Sequence, residues 1–172
     1  MSSKVPIDVH YSKALDLLPP FPVVLVTTQT NIITINQIHY FTFAPLRIGI
    51  GVARTRRTFD LLKSQREFVI NVPTPQVLQA VRLCGKISGR DSDKFQAAHL
   101  EMEPSQQVAA PSIRECPAHI ECRMDREVEF EDRVWFIGMV VACRADPAYK
   151  NDRALLCGRT SYRLPGEIVA MR

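Results

Sequence analysis

Long apolar runs are absent from this chain of 172 residues. No stretch approaches the ~20 apolar residues that a membrane-spanning helix needs. The opening MSSKVPIDVHYSK also lacks the order of basic, apolar and small residues that marks a signal peptide. The sequence therefore predicts a cytoplasmic protein without a membrane partner.

Disulfide and metal-binding patterns are missing as well. The five cysteines are an odd number without framework spacing, so we expect reduced thiols. Cys116, His119 and Cys122 lie close in sequence, but on a strand over 116–124 the cysteines would share one face and the histidine the other. The other three histidines have no neighbouring pattern of a hydrolytic triad. The sequence thus favours neither a zinc or iron site nor hydrolysis.

A large excess of one charge is also missing. The net charge is +4 and the pI is near 8.9, which suits a small phosphate-bearing ligand and is too diffuse to indicate nucleic acid. Hydrophobic residues make up 46% of the chain, enough to bury a proper core. We expect residues 1–172 to form one globular domain.

Short β-branched segments dominate what is present. Strands are predicted at 21–29, 32–36, 46–53, 67–72, 118–131 and 133–144, the last two forming a hairpin that turns at Asp132. Helices are predicted at 11–18, from about Thr58, and at 77–84. Strict alternation of strand and helix is missing, so a doubly wound parallel sheet is the weaker alternative. The predicted fold is mainly β, a Greek-key barrel with flanking helices.

The segment VARTRRTFDLL, residues 52–62, concentrates positive charge and hydroxyl groups at one junction. If a strand ends there and a helix begins, the free N–H groups of the first turn and the helix dipole point toward the same place as the arginines. The alternative is an exposed basic turn. The candidate anion ligands are Arg54, Thr55, Arg56, Arg57 and Thr58.

A second candidate is CGKISGRDSDKF, residues 84–95. Gly85 and Gly89 permit a tight loop that exposes its backbone, and the aspartates that follow can cap a short helix. It is not a P-loop, because the required earlier glycine and the hydroxyl after the lysine are missing. A plain polar loop is the alternative. The added positive charges are Lys86, Arg90 and Lys94.

The third candidate is TNIITINQIHYFTF, residues 30–43, where Thr34, Asn36 and Gln37 could face a planar heterocycle. The following aromatic residues could instead fill a core or a subunit interface. Phosphate-type loops without acid–base machinery fit a chain whose reactive chemistry belongs to a bound cofactor, such as a flavin.

Together, PFPVVLVTT, NIITIN, TRRT, EFVINVP and above all CGKISGRDSDKF resemble the flavoredoxin branch of the flavin reductase family, the FMN-binding split barrels. The resemblance runs from about residue 20 to 145. It implies a six-stranded antiparallel split barrel, a homodimer, and one non-covalent FMN per subunit. The chain departs from the family pattern at one point. The family often has a small residue and then tryptophan where this chain has Asn36 and Gln37.

The resemblance further implies residue roles. Backbone groups of one segment would line the flavin ring, two other segments would hold the phosphate from opposite sides, and a cysteine would lie close by. The ring residues would be Thr34, Ile35, Asn36 and Gln37; the phosphate residues would be Thr55, Arg56 and Thr58 with Ser88, Gly89 and Lys94; the cysteine would be Cys84. No catalytic side chain and no metal are implied.

Three functions follow as hypotheses. The first is an oxidoreductase that passes hydride or electrons from NADH or NADPH through FMN to free flavin, ferric iron or a partner protein. The second is an FMN electron carrier without direct nicotinamide activity. The third is a barrel that binds nucleic acid or protein without flavin, for which one short basic cluster supplies few phosphate contacts.

Overall fold

The computed structural model describes residues 4–166. Within that range the chain forms four α-helices, three 3₁₀ turns and twelve strands, many of them very short. The helices are α1 (Tyr11–Ala14), α2 (Arg57–Gln65), α3 (Leu78–Lys86) and α4 (Lys94–Ala98), and the 3₁₀ turns are Leu15–Leu17, Pro75–Val77 and Asn151–Arg153. The strands are β1 (Phe21–Pro22), β2 (Val24–Thr28), β3 (Asn31–Ile35), β4 (Ile38–Phe43), β5 (Leu46–Ala53), β6 (Glu67–Val72), β7 (Met102–Glu103), β8 (Ser112–Ile113), β9 (Ala118–Glu129), β10 (Arg133–Ala145), β11 (Leu156–Cys157) and β12 (Tyr162–Arg163).

The main sheet has seven antiparallel strands in the order β3-β2-β6-β9-β10-β5-β4. The prediction of six strands is therefore wrong by one, and the sheet is not closed. The additional strand is β4, whose residues the sequence suggested only as an aromatic surface. It was not recognised because a polar pair, Asn36 and Gln37, separates it from β3 and five of its six residues are exposed.

The sheet curls until its two edges approach each other. Strands β3 and β4 form opposite edges of the sheet, yet only Asn36 and Gln37 connect them. A flat sheet of seven strands would hold its edge strands roughly 29 Å apart, whereas this connection reaches about 10 Å. The order of strands therefore requires a barrel that is split between β3 and β4, and Asn36 and Gln37 cross the split.

Apolar side chains on both faces of β2 and β3 explain their continuous hydrophobic sequence. Leu25 and Ile32 pack outward against α3 and α4, while Val26 and Ile33 point into the barrel beside Phe68. Because adjacent residues of a strand alternate between its two faces, both faces of β2 and of β3 are buried. The hairpin is thus held on both faces, and α3 is fixed against its outer face.

Most predicted elements are confirmed within one to three residues. Strands β5 and β6 have the predicted bounds, and β9 and β10 form the expected hairpin. The strand predicted at 21–29 is interrupted at Val23, because β1 pairs with β11 in a separate small sheet. The helix predicted at 11–18 is α1 followed by a 3₁₀ turn.

Candidate functional site

The two polar segments that the sequence singled out meet around one small cavity of about 130 Å³. One wall is the start of α2, and the other is the end of α3 with the turn that leads to α4. The lining residues are Asn31, Ile33, Thr55, Arg56, Arg57, Thr58, Cys84, Ile87, Ser88, Gly89 and Lys94. Cations, hydroxyl groups and a glycine backbone around a cavity of this size suit a single phosphate group.

The first turn of α2 supplies donors without a side-chain cap. Arg56 precedes the helix in an extended conformation and its side chain makes no capping hydrogen bond. Within residues 4–166, the backbone N–H groups of Arg57 and Thr58 have no acceptor. Free N–H groups at the positive end of a helix dipole attract an anion. The predicted junction of strand and helix is therefore present, one residue earlier than expected.

Thr58 is oriented by a buried amide. Its side chain is 1% exposed, and its Oγ1 accepts a hydrogen bond of 2.8 Å from Nδ2 of Asn31, which is 2% exposed. Since a hydroxyl has one hydrogen and two lone pairs, the Thr58 hydrogen is left to donate toward the cavity. Asn31 is not among the predicted site residues, because its contact with Thr58 joins segments that are 27 positions apart.

Gly89 lies close against the same asparagine. A Cβ at position 89 would fall 2.0 Å from Oδ1 of Asn31, which no side chain could tolerate without movement. Oδ1 itself is buried and has no hydrogen-bond donor among the described residues. A glycine is therefore required where this loop approaches β3, and the cavity wall contains an acceptor that a hydroxyl-bearing ligand could satisfy.

Lys94 places a fixed positive charge in the wall. Its Nζ donates to the carbonyl oxygens of Ile32 at 2.8 Å and Cys84 at 2.9 Å, and burial lowers the pKa of its ammonium group. Burial also raises the pKa of the Cys84 thiol to about 11, which keeps that thiol neutral near pH 7. Asp93 caps α4 by accepting from two backbone N–H groups, as the sequence predicted, and so holds Lys94 at the helix start.

A larger cavity of about 820 Å³ lies beyond the end of β3. It is bounded by the crossing at Asn36 and Gln37, by aromatic side chains and by the β9–β10 turn. The lining residues are Leu15, Phe21, Pro22, Asn36, Gln37, Ile38, His39, Phe130, Glu131, Asp132, Arg133 and Trp135. Because β3 and its extension run from the small cavity to this one, a ligand with a phosphate at one end could place a planar ring at the other.

Gln37 is fixed at the mouth of the larger cavity. Its main-chain carbonyl oxygen accepts a hydrogen bond of 2.8 Å from the Gly51 N–H. A Cβ at position 51 would lie 2.4 Å from Oε1 of Gln37, so the glycine in β5 makes room for the side chain. A glycine inside a strand is typical of such a close approach.

The eleven site residues that the resemblance implies fall into three groups. Thr55, Arg56, Thr58, Cys84, Ser88, Gly89 and Lys94 line the small cavity, and Asn36 and Gln37 line the larger one. Thr34 donates to the carbonyl oxygen of Val81 at 2.6 Å and Ile35 points into the barrel core, so their side chains are engaged elsewhere.

Arg54 lies apart from both cavities. Its guanidinium pairs with Glu129 at 3.0 Å and contacts the carbonyl oxygen of Phe130. Arg54 follows the last residue of β5 and contacts the β9–β10 hairpin, whereas Arg56 precedes α2 and Arg57 is its first residue. The arginines of this short cluster therefore contact two different parts of the protein, the β9–β10 hairpin and the small cavity. Their spacing in the sequence does not distinguish the two.

The predicted strand over 116–124, with Cys116 and Cys122 on one face, is not present. The strand begins at Ala118, Cys116 lies in the core cluster beneath α3, and Cys122 lies in the barrel core. His119 faces Asn71, whose Oδ1 is 3.0 Å from its Nδ1. Residues 4–166 contain no cluster of three or more potential metal ligands, and all five cysteines are unpaired.

No helix in the described part of the chain is long and apolar enough to cross a membrane.

Comparison with known proteins agrees with this geometry. The family described as "Flavin reductase like domain" matches residues 19–164, which extends past the end of the resemblance seen in the sequence. Flavoredoxin from Methanosarcina acetivorans superimposes with a TM-score of 0.86 at 22% identity, covering 99% of this chain and 95% of that one.

Two further solved structures share the architecture. An FMN-binding protein from Thermus thermophilus has a TM-score of 0.83 at 21% identity, covering 100% of this chain and 98% of that one. The NADH:FAD oxidoreductase SgcE6 of Streptomyces globisporus C-1027 has a TM-score of 0.82 at 19% identity, with 97% and 100% covered.

These similarities place the fold in the split-barrel class. The chain belongs to the flavin reductase-like family. The expected family is thereby confirmed. The broad class expected for the protein, an oxidoreductase, is supported as well.

Proposed function

We propose that the protein is an FMN-dependent oxidoreductase that passes hydride or electrons from NADH or NADPH to free flavin, ferric iron or a partner protein. The observation that carries this proposal is the pair of cavities joined by β3. The small cavity offers a site for a phosphate, and the larger one offers room for a planar ring.

The residues present fit the phosphate of FMN. The start of α2 offers free N–H groups and the oriented Thr58 hydroxyl, while Arg56 and Lys94 add positive charge. Ser88 and Gly89 lie on the opposite wall. A phosphate held between a helix N-terminus and basic side chains needs no covalent attachment, because each charge-assisted contact contributes about 1.5–3 kcal/mol.

The ring end of the ligand would lie at Asn36 and Gln37. When bound, the flavin ring supplies the hydride and electron chemistry, and this chain would supply orientation and exclusion of water. Trp135 and Phe21 give the larger cavity an aromatic wall, and the Gly51 N–H holds the Gln37 backbone in place. The names of the similar FMN-binding and NADH:FAD structures support a flavin and a nicotinamide donor.

The second candidate is an FMN electron carrier that receives electrons from another protein. The similar structure named flavoredoxin favours it. The two functions share the cofactor site and differ in whether a nicotinamide can reach the flavin directly.

Anaerobic reduction distinguishes the two. The purified protein loaded with FMN is mixed with NADH or with NADPH, and loss of flavin absorbance is followed against free FMN as control. Rapid bleaching by either nicotinamide supports the oxidoreductase. Reduction by a ferredoxin system but by neither nicotinamide selects the carrier, and failure to bind FMN at all overturns both.

We also propose a homodimer whose interface includes β4. This edge strand carries exposed aromatic side chains, among them Phe43, which is 79% exposed and packs on Tyr40. Exposed aromatic patches of this kind mark interaction surfaces, and an unpaired edge strand beside them needs cover. A second copy would cover the strand next to the larger cavity.

A further inference from the structure

Arg90 joins the two walls of the small cavity without lining it. Its Nη1 donates to the carbonyl oxygen of Thr55 at 3.0 Å, and its Nη2 donates to Oδ2 of Asp60 at 2.7 Å. Thr55 precedes α2 and Asp60 lies in its first turn, whereas Arg90 belongs to the turn between α3 and α4. One guanidinium therefore connects the loop that carries Ser88 to the helix start that carries Thr58.

The backbone of Arg90 also orients Ser88. The Arg90 N–H donates to Oγ of Ser88 at 3.1 Å, which occupies one lone pair of that hydroxyl. The hydroxyl hydrogen is then available to the cavity, as it is in Thr58. Arg90 thus acts on the loop wall through its main chain and on the helix wall through its side chain.

Asp60 gives the contact an electrostatic role. It places a carboxylate two residues after Thr58, on the helix whose free N–H groups face the cavity. An unneutralised carboxylate there would repel a phosphate. Arg90 at 2.7 Å supplies the close neutralising charge, and Arg57 is more distant at 3.8 Å.

We propose that Arg90 is a positioning residue that makes the phosphorylated flavin the preferred ligand of this site. It does so by fixing the distance between the two cavity walls and by cancelling the charge of Asp60. The inference rests on the proposed function, since it takes FMN as the ligand. Riboflavin has the same ring without the phosphate, so its binding does not use this arrangement.

The experiment compares Arg90→Ala, Arg90→Lys and Arg90→Ala/Asp60→Asn with the unmodified protein. Arg114→Ala is the matched control, because it removes an exposed arginine–carboxylate pair with Glu101 that lies outside both cavities. Dissociation constants of FMN and of riboflavin are measured by flavin fluorescence, and FMN release is measured by stopped flow.

We expect Arg90→Ala to weaken FMN binding about threefold to tenfold, mainly through faster release, because the Arg90–Asp60 pair is partly exposed, with riboflavin binding changed less than about twofold. Lysine, which cannot reach both acceptors, should give an intermediate value. Adding Asp60→Asn to Arg90→Ala should recover part of the lost FMN affinity.

Three results would overturn the inference: an effect on FMN no larger than that of Arg114→Ala, equal weakening of FMN and riboflavin, or no recovery on adding Asp60→Asn. Failure of the unmodified protein to bind FMN would instead overturn the proposed function and remove the basis of the inference with it.

Discussion

Replacing Thr58 by valine tests the phosphate cavity most directly. Valine keeps the shape of the threonine side chain and removes only the hydroxyl group. In the folded protein that hydroxyl accepts from Nδ2 of Asn31, which is buried. The same hydroxyl has its hydrogen available to a phosphate, so one substitution should change both stability and affinity.

The two effects have separable magnitudes. Without ligand, the Asn31 amide loses its acceptor, and an unsatisfied buried donor costs about 1–3 kcal/mol. For a chain of this length that corresponds to a melting temperature lower by roughly 2–12 °C. With ligand, loss of a hydrogen bond to a charged phosphate costs about 1.5–3 kcal/mol, which is about a 10- to 150-fold weaker FMN dissociation constant.

Thr58→Ser is the matched control, because serine keeps the hydroxyl for both partners. Thermal unfolding of the apoprotein measures the first effect, and fluorescence titration with FMN and riboflavin measures the second. In the valine variant FMN should bind more weakly, whereas riboflavin should bind as it does to the unmodified protein. An FMN dissociation constant equal to that of the unmodified protein would show that the phosphate does not contact Thr58, and the reasoning about the helix start would be refuted.

Other consequences can be measured independently. The Arg56→Ala/Thr58→Ala variant should lose about 2–4 kcal/mol of FMN binding free energy in a titration, and an unchanged titration would place the phosphate elsewhere. Arg54→Ala should leave FMN affinity within about twofold, since its partner is Glu129 and an exposed ion pair contributes at most about 1 kcal/mol to stability; a large loss of affinity would contradict its placement. Burial raises the pKa of the Cys84 thiol from its ordinary value of 9.0 to about 11, so the contribution of this thiol to stability is complete below pH 9 and is lost as the pH rises toward 11. Chemical denaturation of Cys84→Ala should therefore show a smaller decline in unfolding free energy over that window, and an identical decline would exclude the thiol as a source. Light scattering should give a mass of about twice 19.5 kDa, which Phe43→Asp should reduce toward that of one chain because it puts charge on an exposed aromatic surface; a monomer before substitution would refute the proposed interface.

The strands could be predicted wherever one local signal was sufficient. Strands β5 and β6 are β-branched segments bounded by breaks in the pattern, and the β9–β10 hairpin turns at a polar residue. Strand β4 was missed because its position depends on the curvature of the whole sheet. Five of its six residues are exposed, so the strand lacks the alternation of buried and exposed residues that marks a half-buried strand.

The phosphate cavity was predictable because charge and backbone geometry coincide at the start of α2. What could not be predicted were contacts between segments that are distant in sequence. Asn31 reaches Thr58 across 27 positions and Arg90 reaches Asp60 across 30. Arg54 was placed with its neighbours because sequence spacing does not reveal that Glu129 lies within 3.0 Å of it.

The crossing at Asn36 and Gln37 limits how such a protein can be altered. An inserted residue there would change the separation of two sheet edges that a short segment holds together, and would disturb the hydrogen bond to Gly51. Loop lengthening, the usual route to new specificity in enzymes, is therefore unfavourable at this position. Differences in redox behaviour between such proteins should instead arise from exchanging the side chains at 36 and 37 while the length of the segment stays constant.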